Sequence, residues 1–131
     1  MGVVHLAEPQ YTTEHNPNKV FACASCDTVL TQHNLLRSRQ FIGSTGAAIL
    51  FRRAINVNFS EATERQFLTG QYMAKDVTCS RCAGRLGWYY ERSFDPHFAF
   101  KETQVVLEVK LIKERDGTAT ELAAFHGNAE D

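Results

Sequence analysis

Across 131 residues there is no apolar run long enough to cross a bilayer, no His-Glu-x-x-His, no His-x-Glu ahead of a Cys-x-x-Cys, and no long stretch of helical periodicity. The first absence excludes a spanning helix, which needs about 20 successive apolar residues. The next two exclude the hydrolytic-zinc and nucleobase-deaminase patterns. A marked excess of either acidic or basic side chains is also missing. Fourteen basic side chains stand against 15 acidic ones, for a formal net charge of −1 and a pI near 6.5. No global field therefore draws the chain to nucleic acid or to a membrane surface. No signal peptide opens it, and Leu6 stands where a myristoylation motif wants Ser or Thr after Met1-Gly2. The chain is expected to be soluble and intracellular, in a compartment that favours thiolate–metal bonds over disulfides.

What the chain does have is four cysteines in two identical brackets, Cys23-Ala-Ser-Cys26 and Cys79-Ser-Arg-Cys82. Two residues between thiols let both sulfurs of a bracket turn towards one point. Two brackets then offer four thiolates at the tetrahedral geometry zinc prefers. A short Cys-x-x-Cys makes a poor structural disulfide. Neither bracket sits at the strand-to-helix junction that a redox motif uses. The expectation is one structural zinc held by Cys23, Cys26, Cys79 and Cys82. No thiol remains for nucleophilic or redox chemistry, and no coordination position remains for activated water, so the chain is expected not to be an enzyme.

One domain fits this length, and a metal tying distant segments together helps so small a core. Residues 1–18 read as a partly flexible arm, with Val3, Val4 and Leu6 able to add a short strand. Nine runs rich in β-branched and aromatic residues follow: Val20–Ala22, Thr28–Thr31, Leu35–Phe41, Ala47–Phe51, Ile55–Phe59, Arg65–Leu68, Tyr72–Thr78, Arg85–Tyr90 and Val105–Lys113. Several alternate with period two, Val105–Leu111 among them, and Gly43, Gly46, Gly70 and Gly84 mark turns. Ser60–Glu64 and Ser93–Phe100 could each make a turn of helix. The pattern predicts an all-β domain of antiparallel strands over 19–114, either two packed sheets or a partly open barrel, with a flexible acidic tail over 115–131.

The stretch Cys79-Ser-Arg-Cys82-Ala-Gly84-Arg-Leu-Gly87-Trp88-Tyr89-Tyr90, the 52 residues between the brackets, Phe41-Ile-Gly43-Ser-Thr-Gly46 and Leu68-Thr-Gly70 together resemble the Yippee-like family. The likeness is strongest to its yippee-like 5 branch, through Asp27-Thr-Val-Leu-Thr31 and the Met-Gly start. The resemblance implies a zinc-clamped β-tent of two antiparallel sheets, the architecture of the cereblon thalidomide-binding domain. It also implies a protein partner in a CTLH/GID-type E3 ubiquitin ligase assembly, and a place in nucleus, cytoplasm or centrosome, with the chain itself expected to be a monomer. Departures exist. Ala47-Ala48-Ile49 replaces the family's Arg-Ala-Tyr, Tyr72 stands for a His, and Lys101-Glu102-Thr103 stands for a Lys-Glu-Gly run.

Two further sets of residues offer other functions. Trp88, with Tyr72 and Tyr90, could line a cleft that reads a small molecule or a peptide end, or Trp88 could simply cover the metal site. Arg37, Arg39, Arg52 and Arg53 lie in a stretch, 28–60, that lacks acidic residues, and could form a basic patch for RNA. Solvated strand ends explain those arginines equally well. Gly84 and Gly87 are read as room for backbone N–H groups to fold towards the sulfurs. His33 is a candidate donor behind the metal, or more simply a surface histidine.

Overall fold

The computed structural model describes residues 16–125. Ten strands make up most of them: β1 Lys19–Cys23, β2 Val29–Gln32, β3 Leu36–Gly43, β4 Gly46–Phe51, β5 Val57–Phe59, β6 Thr63–Phe67, β7 Gly70–Cys79, β8 Arg85–Ser93, β9 Val105–Glu108 and β10 Ile112–Asp116. They form two antiparallel sheets. The smaller has the order β10-β1-β2, and the larger β3-β4-β9-β8-β7-β5, with β6 also paired to β7. The all-β, antiparallel architecture expected from the strand pattern is present, and its division into two sheets is the one that the family resemblance implies. No helix among the described residues is long and apolar enough to cross a membrane.

The last apolar run departs from its expected form. Val105–Lys113 reads as one alternating strand, yet a 3-10 turn at Val109–Leu111 breaks it. All four residues of β9 are buried, because β9 lies inside the larger sheet with packing on both faces. After the turn the chain enters the smaller sheet as β10, paired with β1. This crossover ties the two sheets together. Ser60–Glu64 holds no helix, since β6 begins at Thr63. Part of Ser93–Phe100 does coil, as a 3-10 turn over Pro96–Lys101 capped by the Asp95 carboxylate.

The expected flexible tail needs correction over its described part. Arg115 and Asp116 belong to β10, and Ala119–Ala123 form a short helix, α1, whose Thr118 and Glu121 make a capping box. Beyond α1, Phe125 is buried against Val20, Val29 and Leu35. Leu122 packs against the same cluster, and Arg115 pairs with Glu121 at 2.8 Å, so the segment is fastened by apolar and charged contacts together. The strand drawn at Val3, Val4 and Leu6 lies outside the described residues, as does the tail beyond Phe125.

The larger sheet has a different core on each face. One cluster gathers Phe21, Leu30, Phe51, Val77, Leu86 and Leu107 with Cys23 and Cys79. The other gathers Leu50, Tyr72, Trp88, Tyr90, Phe98 and Val106. Leu86 and Trp88 sit two apart in sequence yet in different clusters. A register shift explains this: Thr78 pairs with Arg85 but Val77 with Gly87, so Leu86 is an extra residue that reverses the strand's phase. Trp88 therefore does not cover the metal site.

Lys101 is the unexpected member of the second core. It is 5 % exposed. Its Nζ lies 4.9 Å from the Phe98 ring and within 5.9 Å of Phe41, Tyr72, Tyr90 and Phe100. It donates to Thr69 Oγ1 at 2.9 Å and to Tyr72 Oη at 3.2 Å. No carboxylate pairs with it among the described residues, so ring faces and hydroxyls are its whole solvation. Burial pulls its pKa down to about 8. Below that pH both native and unfolded chains carry the ammonium. Between about 8 and the unfolded lysine value near 10.4, the native state has shed the proton while the unfolded state keeps it, so this group's contribution to stability rises with pH. Lys101→Met is expected to abolish that rise. The check is the urea midpoint of both zinc-loaded proteins at about pH 7 and about pH 9.5, where the wild type's gain over the variant should be roughly 1 M.

Two residues on, Thr103 holds φ at 65°. It stands where the resembled family has glycine, so a β-branched side chain occupies left-handed backbone at a cost of about 1 kcal/mol.

Candidate metal centre

The brackets fold as near copies of each other. In the first, the Cys23 N–H donates to Thr28 O at 2.8 Å and the Asp27 N–H to Cys23 O at 2.8 Å; in the second, Cys79 N–H donates to Gly84 O at 2.9 Å and Ala83 N–H to Cys79 O at 2.8 Å. The residue after each second cysteine turns left-handed, Asp27 and Ala83 both at φ 67°. Both hairpin-like knuckles hang from strand ends. Cys23 closes β1 of the smaller sheet and Cys79 closes β7 of the larger, so a metal held between them clamps one sheet to the other.

All four Sγ atoms lie within 4.8 Å of one another. Cys23 to Cys82 is 3.7 Å and Cys26 to Cys79 is 3.5 Å. Zn–S bonds of about 2.3 Å in a tetrahedron put sulfurs about 3.8 Å apart, so the cradle has the right size. The donor chemistry agrees as well. The Thr28 hydroxyl, 3.1 Å from Cys26 Sγ, and then its backbone N–H draw that thiol down to about 6. At Cys82 the Gly84 N–H pulls down, but the other sulfurs and burial outweigh it and push the thiol up to about 11. Four sulfurs this close resist collective deprotonation unless a cation neutralises them. A zinc ion supplies that charge and closes the cluster. Cys23 and Cys79 are buried, Cys26 is half-buried and Cys82 is exposed.

The chain's residues 19–121 match the family model described as Yippee zinc-binding/DNA-binding/Mis18, centromere assembly. The chain belongs to the Yippee–Mis18 family. It is 45 % identical over 105 residues to protein yippee of Drosophila melanogaster, across 80 % of this chain and 87 % of that one. It is 38 % identical over 95 residues to human protein yippee-like 3, across 72 % and 80 % respectively. Among solved structures, the Mis18 "Yippee-like" domain superposes with a TM-score of 0.61 at 15 % identity, covering 77 % of this chain and 98 % of that one, a likeness of fold. The family is zinc-binding, and the four cysteines of this Yippee domain form one four-thiolate zinc site.

The other candidate residues separate. Tyr72, Tyr90 and Trp88 do assemble, with Tyr72 and Tyr90 ring centroids 4.7 Å apart and Phe67 stacked on Trp88 at 5.5 Å. Tyr72 and Tyr90 are buried beneath the surface around Lys101. Of the three, Trp88 alone borders the open cleft, together with Ile42, Gly43, Ser44, Arg65, Phe67 and Arg85. Its indole N–H makes no hydrogen bond of good geometry among the described residues. Arg37 and Arg39 project from β3, an edge strand whose partner β4 precedes Arg52 and Arg53. Charge on an edge strand discourages pairing with another sheet. Arg53 lies over the Phe125 ring at 5.8 Å, so one of the four arginines is engaged by the fold itself. His33 is buried, stacked on Phe21 and 3.6 Å from Glu114. Thr28 is a hydrogen-bond donor to the cysteine cluster, through Cys26 Sγ, that spacing alone does not single out.

Proposed function

We propose that this chain is a non-catalytic interaction module whose zinc sets the shape of its surface, and that the partner is a protein of a CTLH/GID-type E3 ubiquitin ligase in nucleus or cytoplasm. The observation that carries the proposal is the thiolate cluster lying between the sheets. Four sulfurs complete the coordination of zinc and leave no position for substrate or water, so what the fold presents to others is its rigid exterior. Phe59, Leu68 and Phe94 are large apolar side chains exposed on that exterior, the kind of residue that interfaces cover. The E3 assignment follows the resemblance to the yippee-like 5 branch.

The test is affinity capture with zinc-loaded protein from native cells, followed by mass spectrometry. Subunits of one ubiquitin ligase assembly should be retained in stoichiometric amount, and lost when Phe59 and Leu68 are both changed to Ser. Retention of no ligase subunit, or equal retention by the double variant, would count against the partner class and the surface respectively.

A further inference from the structure

We propose that the cleft beside Trp88 binds a carboxylate carried on an apolar body. This goes beyond the interaction-module reading and does not depend on it. The cleft is about 260 Å³, room for one amino-acid-sized group. Its apolar wall is built from Ile42 and the Phe67–Trp88 stack. Two arginines line the same space, Arg65 on β6 and Arg85 on β8. Each is paired with an acid. Arg85 Nη1 pairs with Glu108 at 2.9 Å, and Arg65 Nη1 with Asp76 at 3.0 Å while its Nε bonds Thr63 Oγ1 at 2.9 Å.

Glu108 makes this a built arrangement. It is 0 % exposed, and it also accepts from the N–H and hydroxyl of Thr45. Gly43 leaves it space, because a Cβ there would lie 2.5 Å from the Glu108 carboxyl carbon. A buried carboxylate fixed on three sides orients Arg85 as a rigid donor. Arg85 keeps Nε and Nη2 without partners among the described residues, and Arg65 keeps Nη2. The Ser44 hydroxyl stands 3.5 Å from Arg85. Glu108 and Asp76 cancel the net charge, so the cleft selects by donor geometry, and forked N–H groups suit a carboxylate's two oxygens. The flat wall of Phe67 and Trp88 suits an aromatic or branched aliphatic body.

Two sources present that chemistry, the C-terminal residue of a peptide and a free organic acid. Zinc-loaded full chain, labelled with ¹⁵N, would be titrated with an acetylated hexapeptide ending in free Phe, with its C-terminal amide, and with 3-phenylpropionate. The Trp88 indole and the Arg65 and Arg85 Nε–H signals are the readouts. Expected are shifts of all three with the free acid peptide, with 3-phenylpropionate, or with both, and at least tenfold weaker binding of the amide. The pair tells which source is preferred. Arg65→Gln, which spares buried Glu108, should weaken the acid about tenfold without altering the rest of the spectrum. Equal binding of acid and amide, no response to either acid, or an Arg65→Gln protein that binds as well as wild type would overturn the proposal.

Discussion

Replacing Cys79 by serine is expected to unfold the domain under conditions where the wild type is fully native. Cys79 is buried and ends β7, so its sulfur carries the larger sheet's side of the clamp. Zinc binding by such sites contributes on the order of 10 kcal/mol to folding, against a net stability of about 5–15 kcal/mol for a whole domain. Losing one of four thiolates removes several kcal/mol of that contribution and leaves a hydroxyl in a space shaped for sulfur. Circular dichroism with metal analysis on the same sample is the check. Sub-stoichiometric zinc and loss of the cooperative thermal transition are expected. Chelator treatment of the wild type should give the same result, because both remove the metal bonds that join the end of β1 to the end of β7.

Gly87→Ala carries the second large effect, for a reason unrelated to the metal. Gly87 lies in β8 opposite Val77 on one side and Leu107 on the other, inside the larger sheet. A Cβ there would lie 1.8 Å from the Val106 carbonyl oxygen, 2.9 Å from its carbon and 3.1 Å from Leu107 Cα. All three obstacles are backbone, so no rotamer change relieves them, and β8 must separate from β9. The expected loss is about 3 kcal/mol or more. Gly84→Ala is the contrast, since its Cβ would meet only Cys82 Sγ at 3.4 Å, an ordinary contact. Urea denaturation of both zinc-loaded variants separates the two glycines. A Gly87→Ala protein as stable as Gly84→Ala would mean that the β8–β9 contact is looser than described.

These two substitutions mark what was legible in the sequence. Ligand identity was legible because four thiols in paired brackets leave few chemical alternatives, and the strand runs were legible through their β-branched and aromatic content. The place of Gly87 just after the second bracket suggests a knuckle role, whereas it serves strand contact; a glycine needed for close approach looks the same in sequence as one needed for a turn. The break of Val105–Lys113 was hidden because full burial of β9 removes the polar alternation that would have shown where one sheet ends. The side of the sheet that Trp88 occupies depended on the extra residue at Leu86, and a single bulge reverses every periodicity argument beyond it. Lys101 could not be placed, since a lysine among Phe98, Phe100 and a turn carries the composition of a surface loop. Its burial follows from rings brought in by β3, β7 and β8, far off in sequence.

The most direct measurement is X-ray absorption at the zinc edge on natively purified protein, with metal quantified per chain. One zinc per chain with a shell of four sulfurs at about 2.3 Å is the expected result. A shell containing a nitrogen or oxygen ligand, or a folded chain without metal, would contradict the closed clamp.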